Sequence, residues 1–150
     1  MTGKDYRQWA PFVLRLVIGF GFMAHGWAKL QRGPEAFAHL LTQLHVPLPL
    51  ITAWVTTLTE LIGGLLLIIG LFTTIVTIPL SITMLVAMFS IHIHYGFSAV
   101  KTIGLTPQGP LFGPPGYEIN LVYLAGLAAL FLSGGGNYSI DSGIAKKGDS

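Results

Sequence analysis

The sequence predicts an all-α fold: a four-helix transmembrane bundle with a short interfacial helix in its first outer loop. Two observations carry most of that expectation. Of 150 residues, 52% are hydrophobic and only 9% charged, whereas a soluble domain carries about 25% charged residues. A chain this size with so few charges cannot cover a water-facing surface, and a mean hydropathy of +0.68 agrees. The apolar residues are also gathered into four runs near the length a membrane-crossing helix needs, roughly 17–25 residues.

The first run spans about residues 11–30, the second about 50–72, the third about 74–95 and the fourth about 117–133. The last is short but spans if its interfacial residues reach outward. Between the second and third runs stands only "FTT", which makes these two helices a tight antiparallel hairpin. In the first loop, Phe37, Leu40, Leu41 and Leu44 fall on helical spacing, the mark of an amphipathic interfacial helix that Pro47 and Pro49 end. The second loop, "GFSAVKTIGLTPQGPLFGPPG", is rich in Gly and Pro and reads as ordered loop rather than helix. The tail, residues 134–150, is polar and small, with an end expected to be mobile. Neither loop nor tail is long enough to bury a core, so residues 1–150 read as a single membrane domain.

Four spans put both termini on one side. The terminal segments carry Lys4, Arg7, Lys146 and Lys147, against Arg32 and Lys101 in the opposite loops, so the positive-inside bias favours cytoplasmic termini. Aromatic residues fit that frame: Tyr6, Trp9 and Tyr138 fall near the inner boundary, and Trp27, Trp54, Tyr95 and Tyr117 near the outer one. The first run is too long for a cleaved signal peptide and lacks a small-residue cleavage site after it. With no cysteine there are no disulfides, thiolate metal sites or cysteine-held clusters. The eight basic residues form no patch, which argues against nucleic acid as a partner. The lipid bilayer is the expected surrounding.

Polar residues interrupt the apolar runs. At about 100° per residue, Arg15, His25 and Lys29 lie within an arc of about 80° on the first helix, a stripe shared with Gly19, Phe22 and Gly26. Glycines admit a neighbouring helix, so the stripe faces protein. A charge at bilayer depth costs about 2.5–3.5 kcal/mol on insertion scales and wants a partner. The second helix offers Glu60. The third offers His92 and His94, about 200° apart on a helix, with His92 the inward candidate beside Ser81, Leu85 and Met88. The fourth opens with Glu118, on a stripe with Val122, Ala125 and Ala129. With the termini inside, His25, Lys29, Glu60, His92 and Glu118 all fall in the outer half, with formal charges that nearly cancel. They form the candidate ligand or proton site. Arg15 lies in the inner half, where Asp141 or backbone carbonyls are its expected partners; these two form an inner anchor. A stapling role is an equal alternative for Lys29 and Glu60 and the favoured one for Arg15. Met84 and Met88 read as packing, and no metal site is expected because lysine is a poor ligand and the histidine spacing is not specific.

"RLVIGFGFMAHGWAKL" resembles the opening signature of the DoxX family, "ELIGGLLLIIGLFT" its second span, and "GYEINLVYLAGLAALFLSGGGNYSID" its closing segment. The likeness extends over about residues 11–141. It implies a four-helix protein of the bacterial cytoplasmic membrane, and some relatives are linked to thiosulfate:quinone oxidoreduction or to membrane oxidoreductase complexes. Shared architecture does not fix chemistry, so three functions stay open. The first is a redox role, with a quinone or a redox partner subunit meeting the outer half. No redox centre is intrinsic to the chain; His25, His92 and Lys29 would donate hydrogen bonds to quinone carbonyls, Glu60 or Glu118 relay protons, and Trp27 and Trp54 flank the ring. The second is a small-molecule or proton-coupled permease, which four short spans would supply only as a homo-oligomer. The third is a structural or assembly subunit. No residue is assigned a catalytic role.

Overall fold

In the computed structural model, which describes residues 6–148, the first apolar run is one helix, α1 (Ala10–Arg32). Pro11 sits in its first turn, where a missing N–H leaves no bond unmade. Gly33, at φ 86°, ends it, and α2 (Pro34–Gln43) follows directly. Helix α3 (Pro49–Ile69) stops at Gly70, whose φ of 71° is the left-handed conformation that glycine adopts without strain. The N–H groups of Gly70 and Leu71 both return to the carbonyl of Leu66, closing the helix end. Only residues 70–72 separate α3 from α4 (Thr73–Ser90), which carries Pro79 in its interior. The final helices are α5 (Glu118–Ser133) and α6 (Ile140–Gly148). Lys4 and the side chain of Arg7, which weighed in the orientation of the termini, lie outside the described residues.

Helices α1, α3 and α4 are each long and apolar enough to cross a membrane. Helix α5 is apolar but has 16 residues, about 24 Å of helix against a hydrocarbon layer of about 30 Å. Helix α1 packs chiefly on α3 and α4 chiefly on α5, while contacts of α3 with α4 and of α5 with α1 close the circuit. Ile18, Phe22, Leu67, Val76, Leu80, Met84, Leu127 and Leu130 form the core between them. Outward-facing positions are apolar as well: Val17, Phe20, Ile62, Ile75, Val86, Val122 and Phe131 are all exposed. A polypeptide with an apolar exterior of this extent is built for lipid rather than water. Helices α1 and α3 touch backbone to backbone. A Cβ on Gly19 would stand 2.7 Å from the carbonyl oxygen of Gly64, and one on Gly26 would stand 2.8 Å from the amide nitrogen of Leu61. Small residues at such crossings are what permit close helix approach in membranes.

Several elements differ from the sequence expectation. The third run does not stay helical to residue 95: α4 ends at Ser90 and residues His92–Tyr95 make a tight 3₁₀ turn. The 200° separation of His92 and His94 on a continuous helix therefore does not arise. The second run stops at Ile69 rather than 72, because Gly70 turns the chain. The second loop is not irregular throughout. It contains an antiparallel hairpin, β1 (Thr102–Thr106) with β2 (Gly109–Phe112), so the fold is not strictly all-α. Pro107 and Gln108 make its turn, with Gly109 at φ 125° supplying the conformation that a side chain would resist. The tail forms helix α6, docked through Asp141.

Candidate functional site

Two polar centres lie at opposite ends of the helices. At the end where α3 turns into α4, Arg15 is fully buried. Its Nη1 donates to the carbonyls of Leu67 (3.5 Å) and Ile68 (3.3 Å), and its Nη2 donates to that of Tyr138 at 2.6 Å. The first two are carbonyls of the last turn of α3, at the negative end of its dipole; that of Leu67 also accepts from the Gly70 amide. Asp141 does the complementary work on α4. Its Oδ1 accepts from the Phe72 amide at 2.7 Å and its Oδ2 from the Thr73 amide at 2.9 Å, while its own N–H donates to the Gly70 carbonyl. Cation and anion thus cap the two sides of one turn, Arg15 on the carbonyls and Asp141 on the amides, rather than pairing with each other. The site is tightly filled: a Cβ on Gly70 would collide with the Arg15 guanidinium. Phe12 packs beneath that guanidinium, 5.6 Å from its carbon to the ring centroid, and meets Trp9 and Tyr138 edge-on.

At the other end, Lys29 on α1 meets Glu60 on α3. Lys29 Nζ lies 2.6 Å from each carboxylate oxygen, and the two side chains are 23% and 7% exposed. The close approach of α1 at Gly26 brings the lysine within reach. Phe37 from α2 covers the ammonium, its ring centroid 4.7 Å away. Unlike the fully buried Arg15, this pair is flanked by open space. One cavity of about 290 Å³ opens between α2, α3 and α4, lined by Thr52, Thr56, Thr59, Pro79 and Thr83 among others. A second, of about 390 Å³, is lined by His25, His92, Asn120 and Tyr123. Lys29, Phe37 and Glu60 belong to the walls of both.

The structure thus brings His25, Lys29, Glu60 and His92 to one cavity. His25 is exposed and turns its ring edge toward Tyr123, with centroids 6.3 Å apart. His92 holds the carbonyl of Pro115 through Nδ1 at 3.0 Å. Glu118 is not among them. Its carboxylate accepts from the Ala99 amide at 2.8 Å and so tethers the loop between α4 and α5 instead. The inward stripe expected on α5, with Val122 and Ala125, is exposed; the helix buries Asn120, Gly126, Leu127 and Leu130. Helix α5 is apolar on every side, so hydrophobic pattern alone cannot orient it. Trp27 and Trp54 are exposed and line neither cavity, so they do not flank a ring there.

Asn120 and Tyr123 were not singled out from sequence. Asn120 is 1% exposed; its Nδ2 donates to Met84, 3.0 Å from the sulfur and 3.4 Å from the carbonyl oxygen. Its Oδ1 has no partner. A buried amide inside an apolar span was the available signal, since such groups are costly and seldom idle. Among the described residues, no three His, Asp or Glu side chains gather as metal ligands would.

These features define a helical membrane protein with a polar centre inside the bundle. Residues 10–93 match the DoxX family, and the chain belongs to that family. It is similar to two proteins of Haemophilus influenzae, both described as uncharacterized. One is 29% identical over 146 residues, covering 96% of this chain and 97% of the relative. The other is 30% identical over 138 residues, covering 89% and 82%. No solved structure matches the chain.

Proposed function

We propose that this protein is a four-helix protein of the bacterial cytoplasmic membrane, with both termini cytoplasmic and α2 lying at the outer interface. On this reading, α1, α3, α4 and α5 span the bilayer. The cavity at Lys29 and Glu60 takes up a small, uncharged, ring-sized molecule from the membrane. In that capacity the protein serves a membrane oxidoreductase as a quinone-linked subunit or accessory, with the electrons supplied by a partner protein.

The observation that carries this reading is the open space on either side of the ion pair. A pair that served only to fix helix register would be packed around, as Arg15 is. Of the two cavities, the one of about 390 Å³ falls within the range of small-molecule sites, about 300–1,000 Å³, and the one of about 290 Å³ just below it. The lysine charge is neutralised by the glutamate, which favours a neutral ligand. Four rings, those of His25, Phe37, His92 and Tyr123, line the larger cavity and suit a planar one. A quinone couple fits this space in size and shape. When bound, it would supply the two-electron chemistry that the chain lacks, while His25, His92 and Tyr123 would orient the ring.

The test uses protein purified in mild detergent and melted against increasing concentrations of short-chain quinones and their reduced forms. A bound ligand raises the melting temperature in a saturable way. The expected result is saturable stabilisation of the wild type that is lost in the Lys29→Met/Glu60→Gln double variant. Flat titrations across the series would leave the stapling role as the reading.

A further inference from the structure

The β1–β2 hairpin stands apart from the helices. Among the described residues its strands pair with each other and pack on no helix to a comparable extent. A two-stranded hairpin by itself is at best marginally stable in water. Its surface is apolar nonetheless: Val100, Ile103, Leu105, Leu111 and Phe112 are all exposed, Leu105 at 84%. The register sets Leu105 opposite Pro110 and Gly104 opposite Leu111, so apolar side chains stand on both faces of the ribbon. Lys101 is the one charged residue between positions 96 and 116. The ribbon is also tied down. Below the strands, backbone bonds continue to the start of α5, from the amides of Gly113, Gly116, Tyr117 and Glu118 to the carbonyls of Lys101, Ser98, Gly96 and Phe97. The Glu118 carboxylate on the Ala99 amide adds a further tie.

We infer that the hairpin is seated in the boundary layer of the bilayer, with its apolar side chains among lipid tails and Lys101 at the phosphates. This rests on the reading of α5 as a span. Helix lengths favour lipid as what covers the ribbon. Helices α1 and α3 have 23 and 21 residues, enough for a hydrocarbon layer of about 30 Å at about 1.5 Å per residue. Helices α4 and α5 have 18 and 16, only about 27 and 24 Å. The chain that joins them is drawn toward the hydrocarbon to make up the difference. A protein partner would cover one face of the ribbon, whereas lipid surrounds both, as the exposed side chains on both faces require. The free edges of the strands keep unpaired backbone groups, which confines the hairpin to the hydrated boundary rather than the bilayer core. Ala99 and Pro115, at the base of the ribbon, line the larger cavity, so lipid that holds the hairpin also steadies that wall.

The chain has no cysteine, so a single introduced one carries a fluorophore to a chosen site. Leu105→Cys and Phe112→Cys report on the hairpin, and Val122→Cys reports on α5. All three side chains are exposed, so the substitutions leave the packing alone. Each full-length variant is labelled with the dye NBD and placed in nanodiscs of phosphatidylcholine and phosphatidylglycerol, which leave both membrane faces open. Iodide quenches the dye from water, and nitroxide-bearing phosphatidylcholine quenches it from lipid. At Leu105 and Phe112 the nitroxide lipid should quench strongly. Iodide quenching there should be at least about fivefold weaker than for the dye–cysteine conjugate in buffer, because an anion is excluded from bilayer depth. Iodide access at the hairpin sites with Val122 shielded overturns the seat in lipid and leaves α5 as a span. Hairpin sites reached by neither quencher are covered by protein, a second copy or a partner, and overturn it as well. Iodide access at Val122 removes the span itself, and the inference with it.

Discussion

The two polar centres of this protein use similar side chains to different ends. At the end where α3 turns into α4, Arg15 and Asp141 spend their charges on backbone groups, and the guanidinium is fully buried against Gly70. At the opposite end, Lys29 and Glu60 spend their charges on each other and leave cavities on both sides. The first arrangement closes a structure and the second leaves room in one. Charge inside a membrane protein is therefore not informative by itself. What distinguishes a staple from a site is whether the group's surroundings are filled.

Four substitutions test that contrast, in order of expected effect. Arg15→Met leaves the Ile68 and Tyr138 carbonyls without their donor inside a sealed site, where each unmade bond costs about 1–3 kcal/mol. Unfolding in mild detergent should show a loss of about 3 kcal/mol or more. Asp141→Ala removes the cap on two amides at the start of α4 and should cost about 1–2 kcal/mol by the same assay. The Lys29→Met/Glu60→Gln double variant removes an ion pair without stranding either charge. Its stability should stay within about 1 kcal/mol of wild type, while ligand-induced stabilisation disappears. If it melts as low as Arg15→Met, the Lys29–Glu60 pair is a second staple and the contrast fails. Smallest is Phe37→Leu, which withdraws the ring over the lysine at a cost of about 0.5–1 kcal/mol. Its effect should be seen more in ligand titrations than in melting.

Much of this was legible from the residues. The apolar runs announced their helices, and Gly19 and Gly26 announced the face on which α1 meets α3. Lys29 and Glu60 were joined by the need of each charge for a partner in lipid. Other features were not legible. Helix α4 ends at Ser90, short of the end of the apolar run near Tyr95. Glu118 was expected beside the cluster, but its carboxylate is taken by the Ala99 amide in the loop before α5. Asn120 was hidden in a helix with no polar face to orient it.

The sequence by itself determined that this protein is helical and built for a membrane, because so few charges over so much apolar surface leave no other favourable solvent. It also determined which charges had to be answered, since an unpaired charge in lipid is too costly to persist. Only the tertiary structure decided how each was answered: Arg15 and Asp141 by backbone, Lys29 and Glu60 by each other. Only it decided that space remains beside the second pair. Voids arise from the way whole helices cross, from glycines that draw α1 onto α3 and a proline within α4, and that geometry is a property of the assembled helices rather than of any one segment.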